Sequence, residues 1–254
     1  MELLKLEHVS LSYHTPGGET PVLNDISFSL EQGTFTAVVG PSGCGKSTIL
    51  NLISGLIQPE SGRIFIEGKP LSESELNIGY MLQKDHLFEW RTVRSNVLLG
   101  LEIQRKSTPE SRARVDSLLE SYGLARFRDA RPSELSGGMR QRAALIRTLA
   151  LDPALLLLDE PFSALDYQTR LNVSDDIGQI IRKEKKTALL VTHDISEAVS
   201  MADRVIILSR RPARIRRIVP VVFEIPDRTP MTSRDAPEFK EYFNLIWKEL
   251  NSHE

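Results

Sequence analysis

The stretch Gly40-Pro41-Ser42-Gly43-Cys44-Gly45-Lys46-Ser47-Thr48 constrains this chain more than any other. It fits the pattern G-x-x-x-x-G-K-[ST], in which a glycine-rich turn joins a buried strand to the first turn of a helix. The flanks supply both partners: Thr34 to Val39 reads as an apolar strand and Thr48 to Leu56 as a helical run. A chance match in a chain this long is on the order of 1 in 100, and the flanks remove most of that chance. Glycines let the backbone curl until several amide N–H groups point inward at phosphate oxygens. A helix starting near Lys46 adds the positive end of its dipole. Lys46 is placed to reach the β- and γ-phosphates of a nucleotide, and the Ser47 hydroxyl to ligate Mg²⁺. The residues from Gly40 to Thr48 are therefore the expected phosphate-binding set. Cys44 occupies a variable position of the loop, so it is expected to have no catalytic role but to make the site sensitive to thiol reagents.

The other strands make the fold class legible. Leu3 to Val9, Val22 to Leu30, Arg63 to Glu67, Ile78 to Leu82, Leu155 to Leu158, Ala188 to Thr192 and Val205 to Ser209 are all short and β-rich. Several are continuous apolar runs without alternation, as expected of strands buried on both faces. Separated by helix-length segments, they predict a mostly parallel sheet in an α/β domain. The segment from about Thr92 to Ala150 differs. It holds no convincing strand and breaks near Thr108-Pro109 and Arg131-Pro132-Ser133, which predicts two or three inserted helices. Near the far end, Phe239, Phe243, Ile246, Trp247 and Leu250 recur at helical spacing, as in an amphipathic helix packed on the body. Pro212 within Arg210, Arg211, Arg214, Arg216 and Arg217 predicts a turn between two strands bearing solvated arginines.

Charge and composition exclude other classes. With 32 basic and 34 acidic residues, the chain has no polybasic character, and no nucleic-acid partner is expected. Hydrophobic residues at 41% and a net charge of −2 exclude intrinsic disorder. The longest apolar runs fall far short of the roughly 20 residues of a spanning helix. A single cysteine permits no intrachain disulfide and no zinc ribbon. The acidic amino terminus does not read as a signal peptide, so a cytoplasmic chain is expected.

A phosphate loop needs an acid at the end of a neighbouring strand to hold the metal. Leu155-Leu156-Leu157-Leu158-Asp159-Glu160 supplies two. Successive side chains of an extended strand point in opposite directions, so Asp159 can serve Mg²⁺ while Glu160 serves the attacking water. An acidic pair alone ends many strands at the surface; beside a phosphate loop it gains a role. Between the two lies Leu135-Ser136-Gly137-Gly138-Met139-Arg140-Gln141-Arg142, where Ser136 and the amides of Gly137 and Gly138 read as a second anion-binding helix cap.

That last motif closely resembles the signature sequence of ATP-binding cassette (ABC) ATPases, and the resemblance runs from about Leu3 to Leu208 with every motif in order. It implies a P-loop NTPase (RecA-like) core with an N-terminal antiparallel β subdomain and an inserted α-helical subdomain. It implies one nucleotide-binding domain over residues 1–254, with the helical part at about 92–150 and a C-terminal hairpin and helix at about 205–252. It further implies that the signature faces the P-loop of a second copy, sandwiching ATP in a head-to-tail dimer. Gln83 resembles the glutamine that senses Mg²⁺ and the lytic water, and Ser163-Ala164-Leu165-Asp166 resembles the D-loop. His193 resembles the switch histidine at the γ-phosphate, and Tyr13 the aromatic that stacks on adenine. The catalytic set so implied is Lys46, Glu160 and His193, with Ser47, Gln83 and Asp159 at the metal.

The chain lacks the long coiled-coil insertions of DNA-repair relatives, the doubled cassettes of translation factors and the fused membrane helices of many exporters. It looks like the ATPase subunit of a bacterial importer, at the cytoplasmic face of the inner membrane. Its expected partners are a membrane permease and a solute-binding protein. Gln83 to Val93 and Leu208 to Ile215 are similar to the nitrate, sulfonate and taurine importer group, with Glu89 departing from the proline more usual there. The alternative is a soluble ABC ATPase that switches a non-membrane partner.

Overall fold

A computed structural model describes residues 1–252; residues 253–254, the end of the expected 1–254 domain, lie outside the described residues. The chain opens with a hairpin of two fourteen-residue strands, β1 (Glu2–Thr15) and β2 (Gly18–Glu31). The periodicity predicted a shorter first strand, ending at Val9. The reason is local: His8 and Asp25 adopt positive φ, and register shifts between Leu6 and Val9 and between Val9 and Leu11 break the alternation. A bulged strand twists and re-aims its side chains, so its apolar pattern loses period 2 while the strand continues.

Next come β3 (Phe35–Val39) and α1 (Lys46–Ile53), then β4 (Ser61–Ile66), β5 (Lys69–Pro70) and β6 (Ile78–Met81). Three helices follow: α2 (Val93–Ile103), α3 (Pro109–Ser121) and α4 (Gly137–Leu149). Thr108 caps α3 by accepting the Ser111 amide, with Pro109 in the first turn, so the break read at Thr108-Pro109 is a helix start. The chain then runs through β7 (Leu155–Asp159), α5 (Tyr167–Lys183), β8 (Thr187–Thr192), α6 (Ile195–Met201), β9 (Arg204–Leu208), β10 (Ile215–Pro220), α7 (Pro230–Asp235) and α8 (Pro237–Asn251). Among the described residues, no helix is long and apolar enough to cross a membrane.

The strands form two sheets. One is antiparallel, in the order β2-β1-β4-β5; the other has the order β10-β9-β3-β8-β7-β6 and is parallel except at β10. The central strands alternate between two cores. Phe35, Ala37, Leu156 and Leu158 pack on the helical side, whereas Val38, Leu155 and Leu157 pack toward α1 and the antiparallel sheet. Each of these side chains larger than alanine gains about 1.5–3 kcal/mol on burial, so both faces hold the sheet in place. The C-terminal ends of β3, β7, β8 and β9 therefore share one edge. In open α/β sheets that edge is where ligands bind. The loops leaving it start at Gly40, Glu160, His193 and Ser209.

Candidate active site

At the end of β3 the chain turns through the glycine loop into α1. Gly45 has φ 116°, and a Cβ there would lie 2.8 Å from both Leu23 and Val22, so this position accepts only glycine. Lys46 is buried, and its Nζ donates to the carbonyls of Gly40 (3.0 Å) and Pro41 (3.1 Å). A buried ammonium held by neutral carbonyls alone is poorly compensated, which makes the loop a place where an anion is stabilised. Cys44 differs from expectation. Its thiol is 1% exposed and packs in the core beneath the loop, and burial pushes its pKa up. A thiol that is covered and kept protonated is unreactive, so the expected sensitivity to thiol reagents does not hold. The Cys44 amide donates to Pro41 O at 3.2 Å.

The register of β7 on β8 sets Asp159 opposite Val191, so the loops that leave the two strands at Glu160 and His193 emerge side by side. The two carboxylates separate, but not by the strand pleat: β7 ends at Asp159, and the left-handed backbone of Glu160 sets its direction. Asp159 Oδ1 accepts from Ser47 Oγ at 2.9 Å, and its Oδ2 from Tyr80 Oη at 3.4 Å. The Tyr80 hydroxyl, on β6, also lies 3.1 Å from Asn51 Oδ1 of α1, so its one hydrogen is shared between the two oxygens and braces β6 against α1. Burial pushes the Asp159 carboxyl up, the Ser47 hydroxyl opposes this, and the nearby Glu160 charge adds to it. A half-buried carboxylate destabilised in this way, touching a hydroxyl, fits a hard divalent cation held by few protein oxygens. Among the described residues no cluster of three or more His, Cys, Asp or Glu could hold a metal by itself, so such a cation would share its shell with phosphate and water.

Glu160 points the other way, its Oε2 lying 3.1 Å from His193 Nδ1. It has φ 44°, a left-handed conformation costly for a residue with a Cβ, and is held there by its amide on Val191 O (2.9 Å) and by Ser163 donating to its carbonyl. Gln83 Nε2 donates to Ser163 Oγ at 3.1 Å, so it meets the 163–166 loop and not the Ser47–Asp159 pair expected from its metal role. Tyr13 is 41% exposed, and its hydroxyl lies 3.3 Å from Thr48 Oγ1, at the outer rim of the loop.

Ser136 accepts the Met139 amide as N-cap of α4. Gly138 is required by packing, since a Cβ there would lie 2.7 Å from Val173 of α5. Within one chain, none of the hydrogen bonds of Ser136, Gly137 and Gly138 reaches the glycine loop. The structure thus gathers Lys46, Ser47, Asp159, Glu160 and His193 in one place and sets the second anion cap apart.

Sequence reasoning missed three features. The Tyr80–Asn51 brace is one. Another is Arg170, which donates to Leu165 O at 2.9 Å and faces Asp194 and Glu197 beside His193. The third concerns the basic hairpin, whose arginines are not simply solvated. Arg216 Nη1 donates to the carbonyls of Glu249 (2.6 Å) and Ser252 (3.0 Å) at the end of α8, and Arg217 pairs with Glu249. Arg211 Nε donates to Gly43 O at 2.8 Å.

Residues 23–163 match the ABC transporter family. The chain is 48% identical to an uncharacterised ABC transporter ATP-binding protein, YtlC, of Bacillus subtilis, over all of this chain and 98% of that one. It is 40% identical to the aliphatic sulfonates import ATP-binding protein SsuB of Bacillus licheniformis, over 93% of this chain and 89% of that one. The solved dimer of the ATP-binding cassette MJ0796, in a post-hydrolysis state bound to ADP and Pi, superimposes with a TM-score of 0.69 at 30% identity, over 85% of this chain and 99% of that one. With a P-loop NTPase fold and relatives matching it along its length, the chain belongs to the ABC transporter family, as an ATP-binding subunit that hydrolyses ATP.

Proposed function

We propose that this chain is one nucleotide-binding domain that powers uptake of a small solute, nitrate-, sulfonate- or taurine-like, through a separate membrane permease. It would work peripherally at the cytoplasmic face of the membrane. The observation carrying the permease reading is the surface beside Gln83. Leu82, Phe88 and Trp90 are exposed there, Trp90 at 73%, with the Phe88 and Trp90 rings 4.7 Å apart. Such apolar surface on a strapped loop suits a partner helix. The relative SsuB, named for sulfonate import, agrees with uptake as the direction.

The proposed chemistry is attack of water on the γ-phosphorus of ATP, with ADP leaving and no covalent intermediate. Lys46 and the loop amides hold the phosphates and offset charge that develops on the transferring group. Tyr13 stacks on adenine. Ser47 and Asp159 would hold Mg²⁺, and Gln83 would have to leave Ser163 to join them; the ion, when bound, neutralises phosphate charge. Glu160 uses its free oxygen to polarise the water, while His193 fixes Glu160 and holds the γ-phosphate. Because Ser136, Gly137 and Gly138 lie apart from the loop of their own chain, they complete the site of a second copy in a head-to-tail dimer.

The test is affinity purification from detergent-solubilised membranes with mass spectrometry of what co-purifies. A stoichiometric multi-spanning protein is expected, with a solute-binding protein in the full complex. Recovery with soluble partners alone would overturn the importer and favour a switch on a non-membrane partner.

A further inference from the structure

We propose that Arg211, on the turn between β9 and β10, is a further nucleotide-phosphate ligand, acting within the chain that carries it; this rests on the reading of the glycine loop as the ATP site. The topology places it there. β9 runs parallel to β3 with Val39 opposite Ile207, so the turn that leaves β9 emerges beside the loop that leaves β3. The two touch: a Cβ on Gly40 would lie 3.1 Å from Leu208 Cβ.

The turn does not depend on Arg211 for its shape. Ala213 donates to Val22 O (2.8 Å) and accepts from Asn24 (2.9 Å), while Ser209 and Arg214 bond to each other through backbone and hydroxyl. Arg211 is exposed, yet it leans on the loop, with Nε on Gly43 O and Nη2 3.6 Å from where a Gly43 Cβ would stand. A guanidinium has five donor hydrogens, and the bond to Gly43 uses only the one on Nε. The terminal fork remains for a ligand. It borders a cavity of about 220 Å³ shared with Lys46, Ser47 and Glu160.

Electrostatics gives the fork its preference. Among the described residues, the side chains of Arg210, Arg211 and Arg214 pair with no carboxylate, so their charge is not offset locally. A planar cation with free paired donors, facing a cavity that already holds a buried ammonium, selects the oxygens of a phosphate chain over a neutral group. Arg211 therefore adds affinity for the β- and γ-phosphates, and little for adenine or ribose.

The experiment is equilibrium binding of mant-ATP and mant-AMP, with Mg²⁺, to the full chain and to its Arg211→Ala, Arg211→Lys and Lys46→Ala variants. Protein is kept dilute enough to remain monomeric. Arg211→Ala is expected to weaken mant-ATP binding about 10- to 100-fold. Mant-AMP binding and the urea midpoint should stay unchanged, with Arg211→Lys in between. Wild-type mant-ATP affinity in Arg211→Ala overturns the inference, as does an equal loss for both nucleotides. Should Lys46→Ala bind mant-ATP as the wild type does, the reading of the loop as the ATP site fails first, and the inference with it.

Discussion

Glu197 sits in an environment unlike the one its residue type usually occupies. It is buried beneath the loop that carries His193, its Oε2 accepting from Thr192 Oγ1 at 2.6 Å and its Oε1 3.9 Å from Arg170. Burial pushes its carboxyl from 4.5 up to about 7, with Thr192 opposing. The folded chain thus keeps a proton that the unfolded chain releases between those values. Stability from this group is present at low pH and is lost as pH rises through about 7, by roughly 3 kcal/mol at most. Urea unfolding at about pH 5 and pH 8 checks this: Glu197→Gln should gain on the wild type at the higher pH by up to that amount. A constant difference between the two proteins would exclude a raised pKa. None of this was legible in the sequence, where Glu197 is one acid among 34. By contrast Lys46, Ser47, Asp159 and Glu160 were legible, because each chemical role is tied to a local pattern of loop and strand end. Cys44 was misjudged because the pattern gives its place in the loop but not the direction of its side chain, which packing decides.

At the scale of elements, α4 carries the signature residues at one end and fastens the Gln83–Trp90 segment along its side. Arg140 donates to Asp85 at 2.9 and 3.2 Å and to Glu89 at 2.9 Å, and Arg147 donates to the carbonyls of Asp85 and His86. Burial pushes the Asp85 carboxyl up, but hydrogen bonds from Arg140 and the Leu87 amide outweigh it and hold the pKa below its ordinary value. Glu89, the departure from the usual proline, thereby gains an ion pair with the signature helix. Arg140→Ala leaves Asp85 without its main partner and should cost about 1–3 kcal/mol. Hydrogen exchange at Leu87 and Phe88 should speed up with it. Unchanged exchange there would mean that the segment is held by other contacts. The sequence placed both segments on recognisable motifs but not against each other, since an ion pair 55 positions apart leaves no periodic trace. The same holds for the β1 bulge, where a break in alternation looked like the end of a strand.

For the whole molecule, the order of strands explains why so much was readable. Buried parallel strands betray themselves as apolar runs, and their C-terminal edge collects the loops that start at Gly40, Glu160 and His193. What linear order cannot supply is which loops become neighbours, and so the turn bearing Arg211 was read as solvated. Within one chain no hydrogen bond of Ser136, Gly137 or Gly138 reaches the glycine loop, so the proposed site takes a second copy to close. The most direct test is Glu160→Gln, followed for ATP hydrolysis and for mass by sedimentation with and without Mg-ATP. The account predicts turnover reduced at least 10²–10³-fold, nucleotide binding kept, and an ATP-dependent dimer that persists because hydrolysis no longer opens it. Near-normal turnover by this variant would contradict it.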